Sequence, residues 1–120
     1  MPEPKSYTGG CHCGAVRYEV DLDLTGAVQC NCSICSKRGY LLSFAPMTSF
    51  RLLAGQDATT DYQFGAKNIH HLFCSTCGVS SYAKGTAPGS NQEMAAVNVR
   101  CLDDVDMSAI DIQAFNGKSL

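Results

Sequence analysis

The sequence predicts a mainly β domain, and three features carry that expectation. Apolar and polar residues alternate at period two in several short runs. Glycine-rich turns separate those runs at regular intervals, and no segment keeps a 3.6-residue apolar period beyond about two turns. For a chain of 120 residues the expected organisation is one compact unit over residues 1–120, its core spanning roughly 7–115.

Taken in order, Ala15 to Val20 places Val16, Tyr18 and Val20 on one strand face. Shorter strands are expected at Gly39 to Phe44, Ser49 to Leu53, Asp61 to Phe64, Asn68 to Phe73 and Val79 to Ala83. Met94 to Cys101 reads as a longer strand with Val97 and Val99 on one side, and Ile110 to Phe115 alternates as well. Turns are expected at Gly9-Gly10, Gly26, Gly55, Gly65, Gly85 to Gly89 and Asn116-Gly117. One helical turn is expected after Cys35 and another around Leu102 to Met107.

Composition removes several function classes. The formal charge is -2, and ionising seven cysteines around two zinc ions would take it to about -5. A nucleic acid is therefore not an expected partner. Apolar runs such as Tyr40 to Phe44 are far too short to span a bilayer, so no membrane partner is expected. Residues 1–6 lack the basic and apolar regions of a signal peptide, and the cytoplasm is the expected compartment.

Eight cysteines then demand either disulfides or metal. Seven of them fall in three tight clusters: Cys11-His12-Cys13, Cys30-Asn31-Cys32-Ser33-Ile34-Cys35 and Cys74-Ser75-Thr76-Cys77. Neighbours in a C-x-C are poorly placed for a disulfide, whereas reduced clusters suit a metal. A C-x-x-C followed by Gly78 forms a turn whose amides point at the sulfurs. Tetrahedral zinc needs four ligands, so two two-sulfur clips make a closed site. Cys11, Cys13, Cys74 and Cys77 are the expected structural set, closing a loop of about sixty residues. Cys30, Cys32 and Cys35 remain, and three protein ligands with a free position is the arrangement of a catalytic zinc. Two zinc ions per chain are expected; iron, which four thiolates also hold, is the coloured alternative.

A three-thiolate zinc suits binding an incoming thiol and keeping it deprotonated. Lys37 and Arg38 stand beside the cluster, either to balance it and meet a substrate carboxylate or as plain solvated cations. His12 is expected to point away from the metal. His70 and His71 are expected to face opposite sides of a strand, with a surface or core role ahead of a pocket one. Cys101 reads as a small buried side chain at a strand end, the alternative being a fourth ligand of the open site. Asp103, Asp104 and Asp106 read as a turn rather than a carboxylate centre.

Gly9-Gly10-Cys11-His12-Cys13-Gly14-Ala15-Val16, then Cys30-x-Cys32-x-x-Cys35, then Phe73-Cys74-x-x-Cys77-Gly78 resemble the glutathione-dependent formaldehyde-activating enzyme family. Tyr62 to Gly65, Val97 to Val99 and Leu102 to Asp104 extend the likeness, which runs from about Gly9 to Asp104. It implies an Mss4-like fold, several small antiparallel sheets organised around zinc, and the same division of cysteines into structural and catalytic sets. It also implies a carbon-sulfur lyase that joins formaldehyde and glutathione, with a small thiol as partner. Asn31 stands where the family often shows His, and Ser36 where it often shows Arg. The competing expectation is a non-catalytic module of the same fold that binds a thiol or docks on a protein.

Overall fold

A computed structural model describes residues 5–24, 26–64, 69–86 and 91–116. Ten strands dominate the described residues: β1 (Lys5–Gly10), β2 (Arg17–Leu22), β3 (Gly26–Cys30), β4 (Leu42–Pro46), β5 (Phe50–Ala54), β6 (Thr59–Tyr62), β7 (Ile69–Cys74), β8 (Tyr82–Thr86), β9 (Glu93–Asn98) and β10 (Asp111–Phe115). The one α-helix among them, α1 (Ser33–Arg38), bridges β3 and β4. The strands build two sheets, a small one ordered β1-β2-β5 and a large one ordered β10-β3-β4-β9-β8-β7-β6. The mainly β expectation holds. Among the described pairings all are antiparallel except β10 with β3, which run parallel with Phe115 opposite Cys30.

The small sheet packs on one face of the large one through the buried apolar residues of β2, β4, β7 and β9. Val16 and β2's Tyr18, Val20 and Leu22 are all buried, as their alternation predicts. They meet Ala45 of β4, Leu72 of β7 and Ala95 and Val97 of β9. Three rings pin the sheets together: Tyr18 lies 5.0 Å from Phe50 and 5.7 Å from Tyr82, and Phe50 lies 4.6 Å from Tyr82. The buried Tyr18 hydroxyl donates to the Ser81 carbonyl at 3.0 Å, so its polar end is satisfied.

Strand alternation gives the large sheet a second role. Ala95 and Val97 point into the core, so Ala96 and Asn98 point out of the opposite face. On that face α1 packs through Ile34 and Cys35 against Tyr40, Leu42 and Ala96. The candidate site lies there.

Several expectations shift. Gly9-Gly10 is not a turn but the end of β1. A Cβ on Gly10 would stand 2.1 Å from the Val16 carbonyl oxygen, so this strand pair admits only glycine there. Gly26 likewise opens β3, and Gly85 lies inside β8. The helical turn begins at Ser33, before Cys35, and Gly39 ends it in the left-handed region instead of starting a strand. Val79 and its neighbours form the approach to β8, which begins only at Tyr82. The long strand ends at Asn98; Val99–Cys101 and Met107–Ala109 are short 3-10 turns on either side of the segment expected to be helical. Gly65, Asn68, residues 87–89 and Gly117 lie outside the described residues.

The carboxylates after β9 are structural. Asp103 pairs with Arg17 and accepts from the Thr8 hydroxyl at 2.8 Å, which holds its pKa below the ordinary carboxylate value. Asp104 takes a left-handed turn, and Asp106 caps the following 3-10 turn through the Ser108 amide.

Leu22 is 2% exposed and Leu53 is 58% exposed. Leu22→Ala is therefore expected to lower unfolding free energy by about 2–5 kcal/mol. Leu53→Ala should stay within about 0.5 kcal/mol of wild type. Urea melts of the zinc-loaded protein measure both.

Candidate metal centres and the adjoining cavity

The three cysteine clusters assemble into two groups. Cys11 and Cys13 sit in the turn after β1; Cys74 ends β7, and Cys77 follows in the next turn. Their sulfurs all lie within 4.8 Å of one another, with Cys13 Sγ 3.7 Å from Cys11 Sγ and 3.6 Å from Cys74 Sγ. Zinc bonds of about 2.3 Å at tetrahedral angles space four sulfurs by about 3.8 Å. The donor set and its spacing fit that ion.

Backbone amides prepare the sulfurs. Val16 N donates to Cys11 Sγ at 3.3 Å, and the Thr76 and Cys77 amides approach Cys74 Sγ at 3.4 and 3.5 Å. The amides of Cys13 and Val79 pull the Cys77 thiol down to about 6, and those of Cys77 and Thr76 lower Cys74. Gly78, with φ of 79°, ends the knuckle in a conformation that a Cβ would strain.

The second group is built on α1. Cys30 closes β3, Cys32 is the helix N-cap and Cys35 lies within the helix, one turn from Cys32. These three sulfurs also lie within 4.8 Å of one another, and no further Cys, His, Asp or Glu joins the group among the described residues. Burial works against ionising Cys32, yet the amides of Cys35 and Ile34 with the neighbouring thiols draw its pKa below the ordinary thiol value. Burial, reinforced by Cys32, pushes Cys35 up.

Other candidates fall into place around these groups. His12 is exposed and outside both. Cys101 sits near the four-cysteine group, where burial and the charges of Cys11 and Cys77 raise its pKa to about 11; it does not reach the second group. Arg38 donates to the Tyr40 hydroxyl at 2.5 Å and the Ser80 hydroxyl at 3.3 Å, and its guanidinium lies 5.3 Å from the Phe73 ring centre. It braces the helix against the sheet. Lys37 remains exposed beside a shallow cleft shared with Tyr62 and Phe64.

The sequence reading did not anticipate a cavity. A space of about 580 Å³ opens beside Cys30, Cys32 and Cys35 on the outer face of the large sheet. His71 lines it, while His70 on the opposite face pairs with Asp61 at 2.6 Å, so the expected divergence of the two histidines holds. Burial and then the Arg38 charge lower the His71 pKa, leaving a neutral imidazole at pH 7. Behind the helix a second concavity of about 540 Å³ also reaches Cys30 and Cys35, and is lined by Gln29, Asn31, Ser36 and Asn116. Asn31 and Ser36, the two departures from the family pattern, therefore stand at its wall.

A mainly β scaffold carrying two grouped sets of thiols that could hold metal defines a class of cysteine-cluster proteins. Within that class, the chain belongs to the glutathione-dependent formaldehyde-activating enzyme family, whose model matches residues 6–118. A structural-genomics crystal structure of a Rhodobacter sphaeroides protein shares 32% identity at a TM-score of 0.76. That match covers 88% of this chain and 99% of the other. The two-sheet architecture fits the Mss4-like fold that the resemblance implies. Family membership supports a glutathione-dependent, formaldehyde-activating function. No helix among the described residues is long and apolar enough to cross a membrane.

The two groups predict different responses to losing a sulfur. Cys77→Ser, or chelation under reducing conditions, should abolish cooperative thermal unfolding, because the clip between residues 11–13 and 74–77 is lost. Cys32→Ser should keep a cooperative transition. Calorimetry and metal content together distinguish the two cases.

Proposed function

We propose that the protein is a zinc-dependent carbon-sulfur lyase resembling S-(hydroxymethyl)glutathione synthase, acting on a small thiol and an aldehyde. The observation that carries this reading is the three-thiol group at Cys30, Cys32 and Cys35, which has no fourth protein donor among the described residues and opens onto two concavities. In the proposal Cys11, Cys13, Cys74 and Cys77 hold a structural zinc, and Cys30, Cys32 and Cys35 hold the second.

A zinc ion held by Cys30, Cys32 and Cys35 would supply one thing, an environment that favours the anionic form of an added thiol near neutral pH. The chain's own residues do the rest. Helix α1 and β3 set the sulfurs on a rigid corner, which fixes where the thiol arrives. The amide and hydroxyl groups of Gln29, Asn31, Ser36 and Asn116 suit a peptide-like thiol such as glutathione on one side. The apolar cavity on the other side would hold the carbonyl partner close. Bringing the two together replaces a bimolecular encounter with a local one. Formaldehyde adds to thiols unaided, so only a modest acceleration is required.

Exchange between free formaldehyde and its glutathione adduct, followed with and without protein, tests the proposal. The zinc-loaded protein is expected to accelerate exchange, with two zinc ions per chain. Cys32→Ser should retain one ion and lose at least ~10-fold of the acceleration, the lower range for disturbing a metal site. One ion in wild type, with no acceleration, would instead identify a non-catalytic thiol-binding or docking module.

A further inference from the structure

We propose that the cavity beside Cys30, Cys32 and Cys35 receives the apolar substituent of an aldehyde larger than formaldehyde, an alkyl or aryl aldehyde. This rests on the reading of that thiol group as the place where thiol and aldehyde meet, and it adds the substrate class.

Volume is the first argument. Formaldehyde has two heavy atoms, worth about 60 Å³ at a water's share of about 30 Å³ each. The cavity offers about 580 Å³, in the range of pockets that hold whole ligands. Chemistry is the second. Val28, Ile34, Leu42, Phe44, Phe64 and Ala96 contribute to its walls, and among the described residues no Asp, Glu, Lys or Arg lines it. Phe44, Phe64, Ile69 and Phe115 each remain more than 40% exposed at this one place. An apolar concentration of that kind is a binding surface more often than an accident.

Glutathione cannot be the molecule that fills this space. It carries two carboxylates and an ammonium group, and burying those without partners is costly. The concavity on the far side of Cys30 and Cys35, where Gln29, Asn31, Ser36 and Asn116 join Tyr40, Ala114 and Phe115, offers more polar groups to it, leaving the more apolar side for the substituent of the aldehyde. His71, 7% exposed and stacked on Phe64 with ring centres 5.3 Å apart, adds a flat ring to the same wall.

The reaction balances without an oxidant. The thiol adds across the carbonyl: a carbon-sulfur bond forms, the carbon-oxygen π bond breaks, and the sulfur's proton ends on oxygen. The reverse reaction releases the same aldehyde.

Binding of S-methylglutathione and S-hexylglutathione to the zinc-loaded protein, by calorimetry, tests the cavity apart from turnover. Each buried methylene is worth roughly four-fold in affinity. The hexyl ligand is therefore expected to bind at least ~10-fold more tightly than the methyl one. Ala96→Leu, which fills the cavity, and Phe44→Asp, which places a charge at its 52% exposed mouth, should each bring that ratio towards one. Equal wild-type affinities, or binding of neither ligand, overturn the inference. Exchange assays with formaldehyde and hexanal separate the two readings. Acceleration of both supports the inference. Acceleration of formaldehyde alone overturns it and leaves the proposed function standing. Acceleration of neither removes the proposed function and the inference with it.

Discussion

Crowded sulfur is the constraint on which the rest of this molecule depends. Cys13 Sγ lies 3.7 and 3.6 Å from two other sulfurs, and Cys74 is 1% exposed. Two unit charges at such a distance repel by about 1 kcal/mol in water and several-fold more where solvent is thinned. Amides soften that repulsion, as the lowered Cys74 and Cys77 values record, but they do not cancel several anions. A divalent cation in the proposed structural site would. The turn after β1 and the turn after β7 meet at this cluster, although about sixty residues separate them in sequence. The β1–β2 hairpin and the large sheet share that meeting point, so the contact between the two sheets has four grouped thiols at its edge and the Tyr18, Phe50 and Tyr82 rings at its centre.

The second consequence is a division of labour across the large sheet. A sheet buried on both faces would give continuous apolar strands, but here β9 alternates buried and half-buried positions from Met94 to Asn98. Ala95 and Val97 are wholly buried against the small sheet. Ala96 and Asn98 look the other way, where among the described residues the six-residue α1 and a few rings give cover. That cover leaves room for a cavity, and the cysteines of α1 open onto it. The core and the proposed site thus lie on opposite faces of one set of strands. Substitutions on one face can alter ligand handling without emptying the core on the other.

The cysteine grouping was legible in the sequence because coordination number is arithmetic: two pairs and a trio sort themselves once four is the rule. The strand face of Val16, Tyr18 and Val20 was equally legible, since period two at three successive positions admits no other buried arrangement. β1 was not. Its Lys5-Ser6-Tyr7-Thr8 has no apolar alternation and ends in two glycines, which propensity assigns to a turn. Only the approach of Val16's carbonyl, a contact from the neighbouring strand, reveals why glycine is there. β3 was hidden for a related reason: its short Gly26-Ala27-Val28-Gln29-Cys30 run ends in a ligand, so the metal motif masked the strand that carries it. The cavity left no sequence signal at all, because its walls come from strands spread between Val28 and Phe115. His71 could be placed on the face opposite His70, but nothing local says which face is the hollow one.

Polarity around the trio finally bears on the order in which two reactants can be held. Cys30, Cys35, Tyr40 and Phe115 are shared by both concavities; one adds the amides of Gln29, Asn31 and Asn116, the other adds further rings and aliphatic groups. A charged, flexible peptide thiol loses least by staying on the amide side, where its backbone groups exchange water for Asn and Gln partners. An apolar chain gains most by leaving water on the other side. In the proposed reaction each reactant would therefore be kept from its partner's place by desolvation cost rather than by shape, and neither would displace the other. Sorting of this kind works only while the helix keeps the three sulfurs between the two spaces. The brace that Arg38 makes to Tyr40, Ser80 and Phe73 is what holds α1 there. Arg38, which the sequence left as either a partner for the cluster and a substrate carboxylate or a plain solvated cation, is taken up instead by Tyr40, Ser80 and Phe73.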